Sequence, residues 1–447
     1  MLEKILLRNK KNASWLKFSD PNHLFVCSEV SEIKEVLEEI QERVQRDKLY
    51  AAGYLSYEAA PAFDPAFRVH DEHKIPLLCF GLFNDVEEFS NLENDKYINL
   101  EGLDWKLGTS EEIYKKNFLY IKKQIELGNT YQINYTLRNY TENLINPYEF
   151  FIARAANAPY AAFIETKNHT IISASPELFF SLDGEVLECK PMKGTSLRGK
   201  TYSEDAFLKT ELKLSEKNLA ENIMITDMLR NDMGRISSPG SVNVPVICDV
   251  EQYPTVWQMT STVKSQTSAS VAEIIAALFP CASVTGAPKI ASMEIISEIE
   301  DTPREIYTGA IGFIAPDRQA QFSVPIRTVL MDNKTNKSSY GAGGGIVWDS
   351  DFLSEFHECM TKSKILTTTN ANSNFELFET MLWEPKNGVF LSSFHFSRLR
   401  NSAVYFGFNW DSSKIEIELE ECLKGCNSEP MKIKLFLILV LSDHLVI

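Results

Sequence analysis

The fold class turns on Thr170-Ile-Ile-Ser-Ala174, Leu178-Phe-Phe-Ser-Leu182, Tyr307-Thr-Gly-Ala-Ile-Gly-Phe-Ile314, Phe322-Ser-Val-Pro-Ile-Arg-Thr-Val-Leu-Met331 and Ser338-Ser-Tyr340. These runs are rich in β-branched and aromatic residues, the composition of half-buried strands. Ser241 to Ile247 reads the same way. The last three runs are joined by short polar stretches around Arg318 and Lys334, with no room for a helix between them. Parallel strands need a long crossover, so short connections predict antiparallel pairing. The expected class is α+β with antiparallel sheets, not a doubly wound parallel sheet.

Helices surround these strands. Ile33, Val36, Leu37, Ile40 and Val44 share one helical face after Ser31. Thr109 with Glu112 suggests a capping box for a helix ending near Gly128. A long helix is expected over Asp205–Asn231, and Ser270 with Glu273 marks another N-terminus. Pro288 suits the first position of a helix carrying Met293, Ile295, Ile296 and Ile299. A further helix is expected from about Phe352 to Leu366, and the polar run Thr367-Thr-Thr-Asn-Ala-Asn-Ser-Asn374 reads as a linker.

The 447 residues are 44% hydrophobic and 24% charged, which is globular and not disordered composition. Lys and Arg total 45 against 61 Asp and Glu, a net charge of −16. Such a chain repels nucleic acid and anionic lipid unless cations are focused locally, so neither is an expected partner. The eight cysteines form no CxxC pair, and Cys422 and Cys426 lack a histidine cluster, so they read as reduced thiols. Glu3 stands where a secretory signal would be basic, and Leu435–Leu441 is too short to span a bilayer, so a cytoplasmic protein is expected.

Four clusters can carry chemistry. In Lys190-Pro-Met-Lys-Gly-Thr-Ser-Leu-Arg-Gly199, Lys193 precedes a Gly-Thr turn. A lysine becomes a nucleophile when burial or a nearby cation lowers its pKa; otherwise the stretch is a basic surface hairpin. Glu221 to Asp232 interleaves acids with apolar residues on a helix, so some acids face the core and need a metal or a cationic partner. Gly341-Ala-Gly-Gly-Gly345 is followed by Glu355, Glu358 and Lys362 on one helical face. Glycines let backbone approach a ligand, and carboxylates one turn apart suit Mg²⁺; a solvated Glu–Lys face behind a flexible turn is the plain alternative. Last, Thr285-Gly-Ala-Pro-Lys289 leads into a helix N-terminus, which favours an anion or merely caps the helix. Together these describe a pocket for a small polyanion held by Mg²⁺ and a few cations.

At these motifs the sequence resembles the chorismate-utilising enzymes, most closely their aminodeoxychorismate synthase component I branch. The resemblance spans roughly residues 50 to 367 and runs in order through Gly53-Tyr-Leu-Ser-Tyr57, Gln132-Ile-Asn-Tyr-Thr-Leu-Arg138, Ser175-Pro-Glu177, Pro191-Met-Lys-Gly-Thr195 and Glu221–Asp232. It continues through Thr285–Lys289, Tyr307-Thr-Gly309, Ile326-Arg-Thr328 and the glycine run with Glu355 and Glu358. Each motif is weak alone, but the ordered set is specific. The resemblance implies a chorismate-binding (anthranilate synthase component I-like) fold, with antiparallel sheets as a sandwich core and helices outside. Residues 1–105 would be the N-terminal part and 106–367 the catalytic domain, with 368–374 the linker.

By this resemblance, Glu221 and Glu358 are direct Mg²⁺ ligands and Glu355 acts through water. Thr285, Tyr307, Arg327, Gly343, Gly344 and Lys362 match positions around the substrate. Isochorismate-forming relatives have a lysine at position 132, where Gln132 stands here, and anthranilate synthases have alanine at 193. Lys193 matches the covalent nucleophile of the aminodeoxychorismate branch. The expected reaction replaces the C4 hydroxyl of chorismate by an amine, toward 4-aminobenzoate and folate. No Gly-x-Cys-x-Gly elbow appears, so ammonia is expected from a separate glutamine amidotransferase. Anthranilate synthase and a chorismate-binding pseudoenzyme are the alternatives.

There are departures from the pattern. Asn218 replaces an acid, Gln258 replaces a histidine thought to protonate the departing hydroxyl, and Cys281-Ala-Ser replaces a Gly-Ser pairing. The Leu-Leu-Glu-Ser segment of tryptophan-inhibited relatives is not found, so no such control is expected. Residues 375–447 resemble the opening of aminodeoxychorismate lyase, a pyridoxal-phosphate enzyme of fold type IV, through Phe375-Glu-Leu-Phe-Glu-Thr380 and His395-Phe-Ser-Arg398. Arg398 matches a cofactor-phosphate contact, but the Schiff-base lysine falls beyond this sequence, so a truncated partial α+β piece without lyase chemistry is expected.

Overall fold

The computed structural model describes residues 2–92, 103–142, 144, 146–253, 256–367, 375–424 and 429–437. The linker at 368–374 lies outside these. The chain forms two compact units. One comprises Met1–Gly194, Glu216–Asp249 and Met259–Asn370, and the other Thr195–Ser215, Val250–Gln258 and Ala371–Ile447.

The first unit is built on antiparallel sheets, as the short connections require. Leu178–Asp183 pairs with Gln319–Ser323, which pairs with Ala310–Ala315, which pairs with Tyr50–Leu55. A second sheet runs from Gln132–Thr141 through Ser338–Ile346, Thr328–Asp332, His169–Ser175 and Tyr160–Thr166 to Leu2–Asn9. Leu2, Ile5, Leu7, Tyr54, Phe83, Ile164, Ile171 and Phe313 are buried together between the two. Helices cover the outer faces: Ile33, Leu37, Ile40 and Val44 pack on Phe80 and Leu82, and Tyr114, Phe118, Ile295 and Ile299 pack on Ile133 and Tyr135. This is the expected sandwich with helices outside. Strands from both sides of residue 105 enter the same sheet, so the unit has no boundary there.

Several expectations need local correction. The cap of the helix Glu111–Glu126 is Ser110, whose side chain accepts from the Ile113 N–H, and not Thr109. Ser270 and Glu273 do form a complete capping box. Pro288 is the N-cap of Lys289–Ile299 and not its first residue. The long helix is two, Tyr202–Leu214 and Glu216–Gly234, because Ser215 adopts an extended ψ of 109. Phe322–Met331 is likewise two strands, separated at Val324–Arg327. The glycine run is a strand, Ser338–Ile346, and not a flexible turn.

The second unit contains a three-stranded sheet, Gly388–Val389, Leu377–Glu384 and Met431–Leu437, under the helices Ser392–Phe406 and Ser412–Leu423. Met381, Leu399, Ile415, Leu419, Ile433 and Leu435 give it a core of its own. Of the cysteines, Cys27, Cys79, Cys189, Cys281 and Cys359 are buried and unpaired. Among the described residues no helix is long and apolar enough to cross a membrane.

Candidate active site

The first unit's glycine strand is the floor of the site. It pairs with Gln132–Thr141 in the register Gly341↔Arg138, Gly343↔Thr136, Gly345↔Asn134. Alternate residues of a strand face opposite ways. On one face, a β-carbon at Gly345 would come 2.7 Å from Gln132 Nε2 and 3.1 Å from Lys193 Nζ. On the same face, one at Gly343 would meet Asn134 Nδ2 at 3.0 Å and the Tyr307 hydroxyl at 3.1 Å. On the other face, one at Gly344 would lie 3.1 Å from Glu355 Oε2. The absence of side chains here is what lets the lysine, the tyrosine and the glutamate close on one strand.

Lys193 lies on the strand Met192–Leu197. Gly194 follows it with φ of 90, a conformation that favours glycine, and abuts Asn218. The helix Phe352–Ser363 places Glu355, Glu358 and Lys362 at successive turns. Lys362 Nζ donates to the Gly343 carbonyl and pairs with Glu358 Oε1, each at 2.8 Å. Glu355 is 3% exposed and accepts from Ser350 Oγ at 2.6 Å. Lys217 Nζ stands 3.1 Å from Glu355 and 3.9 Å from Glu221.

These charges shift the site's titratable groups in different directions. Burial pushes the Lys193 ammonium down, and the charge of Lys362 adds to that; Glu221, Glu177 and Glu358 oppose it. Partial burial disfavours the Lys362 ammonium too, yet the Glu358 carboxylate outweighs that cost and keeps it charged. Lys362 in turn holds Glu358 below the usual carboxylate range. Burial raises Glu221, and Glu355 and Glu358 raise it further. Glu177 is 2% exposed, and burial lifts its carboxyl to about 7 despite a 2.6 Å hydrogen bond from Ser283 and the Lys193 charge.

The remaining predicted residues fall as follows. Thr285 is fully buried, donates to the Cys281 carbonyl at 3.1 Å, and its own carbonyl accepts the Asn134 N–H. Tyr307 is buried beside Gly341 and Gly343. Arg327 adopts φ of 52 between two strands, its carbonyl accepts the Ala174 N–H, and its charge acts on Tyr340. In the second unit, Gln258 accepts from Thr195 Oγ1 at 2.9 Å. Both arms of Arg398 are taken by Glu379, at 2.6 Å each, so its fork is engaged by a carboxylate.

Sequence reasoning gave no role to four groups. Glu177 was quoted only as part of a motif; its burial and its coupling to Lys193 are products of the fold. Gln132 Nε2 and Oε1, Asn134 Nδ2 and Thr136 Oγ1 are buried without a hydrogen-bond partner. Each such group costs about 1–3 kcal/mol if left unsatisfied, so the row is a surface that a polar ligand or water completes. Their spacing of two along one strand was the available signal. Lys217 is the third. Arg304 is the fourth: it reaches the carbonyls of Val284 at 2.8 Å and Asn134 at 2.7 Å.

A metal fits the donor set by chemistry. Glu355 and Glu358 both act on the Glu221 carboxyl, and the Lys217 ammonium already bridges Glu221 and Glu355. The three carboxylates are hard oxygen donors of the kind Mg²⁺ takes. Among the described residues no three acids, histidines or cysteines converge into a ready-made metal cluster.

The profile of a family described as chorismate binding enzyme matches residues 100–368. The chain belongs to the chorismate-binding enzyme family. Residues 376–443 match amino-transferase class IV. Among curated relatives, this family member is 43% identical over 263 residues to "Aminodeoxychorismate synthase, chloroplastic" of Arabidopsis thaliana, covering 57% of this chain and 28% of that one. It is 39% identical over 247 residues to "Aminodeoxychorismate synthase component 1" of Bacillus subtilis, covering 54% and 52%. The chain thus spans about half, or less, of the curated relatives' lengths. The crystal structure of anthranilate synthase component I from Streptococcus pneumoniae superposes with a TM-score of 0.69 at 23% identity, over 79% of this chain and 92% of that one, which bears on the fold.

Proposed function

We propose that the chain is an aminodeoxychorismate synthase component I. It would aminate chorismate to 4-amino-4-deoxychorismate, with ammonia from a glutamine amidotransferase partner, as the component naming of its relatives suggests. The observation that carries the reading is the Lys193 amine: it is held against Gly345 in the family's glycine strand, and its surroundings lower the pKa of its ammonium, toward the neutral, nucleophilic form. Glu221, Glu355 and Glu358 would hold Mg²⁺. When bound, the ion would neutralise the substrate's ring carboxylate and draw it to the pocket.

The residues then have separable tasks. The Lys193 nitrogen forms a bond to C2 of the ring, the two conjugated ring double bonds each shift by one position, and the C4–O bond breaks. The departing hydroxyl needs a proton, and Glu177, buried with its carboxyl lifted to about 7, is the group suited to supply one near neutral pH. Ammonia next bonds to C4, both ring double bonds shift back, and the C2–N bond breaks. The amine keeps its electron pair, and the proton shed by the new C4 ammonium restores Glu177. The balance is chorismate plus ammonia giving aminodeoxychorismate plus water. Lys362, charged throughout, and Tyr307 are suited to orient carboxylates, while the unpartnered amides of Gln132 and Asn134 can hydrogen-bond uncharged groups.

The test is to incubate the protein with chorismate, ammonium and Mg²⁺ and identify the product by mass. The expected product has one hydroxyl replaced by an amine and keeps its pyruvyl ether. Lys193→Ala should reduce its formation at least about a hundredfold. Anthranilate as product, or unchanged turnover by the variant, would remove the proposal.

A further inference from the structure

The second unit joins pieces that the family boundaries separate. Two short segments of the chorismate-binding region, Thr195–Ser215 and Val250–Gln258, form one compact body with the class IV aminotransferase-like residues. The joint is made at Tyr405, in the last turn of the helix Ser392–Phe406. Its hydroxyl donates to the Gly199 carbonyl at 2.7 Å. Its own carbonyl accepts from Arg198 Nη2 at 2.8 Å and from Gln252 Nε2 at 3.2 Å. Carbonyls of a helix's last turn lack partners within the helix, and a cation there also complements the helix dipole.

Arg198 is the centre of this joint. Its guanidinium lies 4.9 Å from the ring centroids of both Trp257 and Tyr405. Its Nε and Nη2 each meet Asp205 at 2.8 Å. The Gly199 N–H and the Trp257 indole N–H also donate to Asp205. Burial pushes the Asp205 carboxyl up, but these donors outweigh it and hold the group charged below the usual carboxylate range. The first turn of the helix Tyr202–Leu214 is thereby welded to the aminotransferase-like helix. This welded segment begins at Thr195, two residues after Lys193.

We propose that the aminotransferase-like piece is a positioning brace for the Lys193 strand. By seating Tyr405 on Arg198 and Gly199, it orders Thr195–Ser215 and so fixes the segment that continues from the nucleophile. The catalytic half of this statement rests on the function proposed above; the ordering half does not. Tyr405 is a positioning residue with no part in binding substrate, so its loss should lower kcat and leave the KM for chorismate within about twofold.

The test uses the full chain carrying Tyr405→Ala, with Tyr405→Phe and Gln252→Ala as milder variants. Peptide-resolved hydrogen exchange is read alongside ammonium-dependent turnover. In Tyr405→Ala, amides within 199–214 should exchange about tenfold faster, with those of the glycine strand unchanged. In the same variant kcat should fall about tenfold. Tyr405→Phe keeps the ring against Arg198 and should lie between it and the parent. Unchanged exchange at 199–214, or an increase spread evenly over the chain, would overturn the brace. Faster exchange with unchanged kcat would overturn its link to catalysis. A parent protein that leaves chorismate untouched would refute the proposed function, while the exchange data would still decide the brace.

Discussion

Two half-buried lysines in one site are pushed in opposite directions, and the difference is a matter of partners. Lys362 has Glu358 at 2.8 Å and stays charged. Lys193 is pushed toward neutrality by burial and by that same charge. Glu177 completes the set as an acid that keeps its proton until about pH 7. A carboxyl with a raised pKa is protonated below that value, so a step that needs its proton slows as pH rises through about 7. The loss of the Lys193 proton works the other way, giving a bell-shaped profile. In Glu177→Gln the amide still accepts from Ser283 but donates no titrating proton. Its kcat should fall about 10²- to 10⁴-fold, and the alkaline decline should vanish. A variant whose kcat and pH profile match the parent's would exclude Glu177 as the donor.

Between residues, the elements that carry the site are held in register by one buried cation. Arg304 is 1% exposed and donates to Glu300 at 2.9 and 2.7 Å, to Val284 and Asn134, and more weakly to Thr308 at 3.4 Å. It ties together the loop before Thr285, the strand of Gln132 and Asn134, and the turn of Tyr307. A lysine could satisfy one of these directions but not the fork. Arg304→Met should cost about 3–5 kcal/mol in urea unfolding, because Glu300 is left buried without its cationic partner. Adding Glu300→Leu should restore much of that stability. The KM for chorismate should nevertheless stay raised about tenfold, since the walls have lost their common anchor. A double variant with the parent's KM would show the cluster to be structural only. Legibility in the sequence divides along the same line. The face of Ile33, Leu37, Ile40 and Val44 and the Ser270–Glu273 box follow from local spacing, and both are present. The ordered acids, lysines and glycines of the site could be named because their identities carry the signal. The break at Ser215 was not legible, since the residues on both sides favour helix. The glycine strand was not legible either, because glycine has little strand propensity and its order comes from nine paired residues on a distant neighbour. The roles of Glu177 and Arg304 depend on burial that only the assembled sheets create.

At the scale of the whole first unit, the two sheets of the sandwich are joined by a polar pair inside an otherwise apolar layer. Tyr54, on the strand Tyr50–Leu55, meets His169 Nε2, on the strand His169–Ser175, at 2.8 Å. Burial drives the tyrosine pKa far up, so its hydroxyl stays protonated and donates, and the neutral imidazole accepts. Burial also lowers the His169 pKa from 6.5 to about 4. The unfolded chain therefore takes up a proton below about 6.5 that the folded chain refuses until about 4, so stability falls as pH falls through that window. The full window is worth about 3 kcal/mol, and going from pH 7.5 to pH 5 should forfeit about 2 kcal/mol of it. In His169→Gln the amide can still accept from Tyr54, but nothing titrates. Urea unfolding at the two pH values should show a drop in the parent that exceeds the drop in the variant by about that amount. Equal drops would mean that the imidazole already carries its proton in the folded sandwich, and that the layer between the sheets is wet enough to hold a charge.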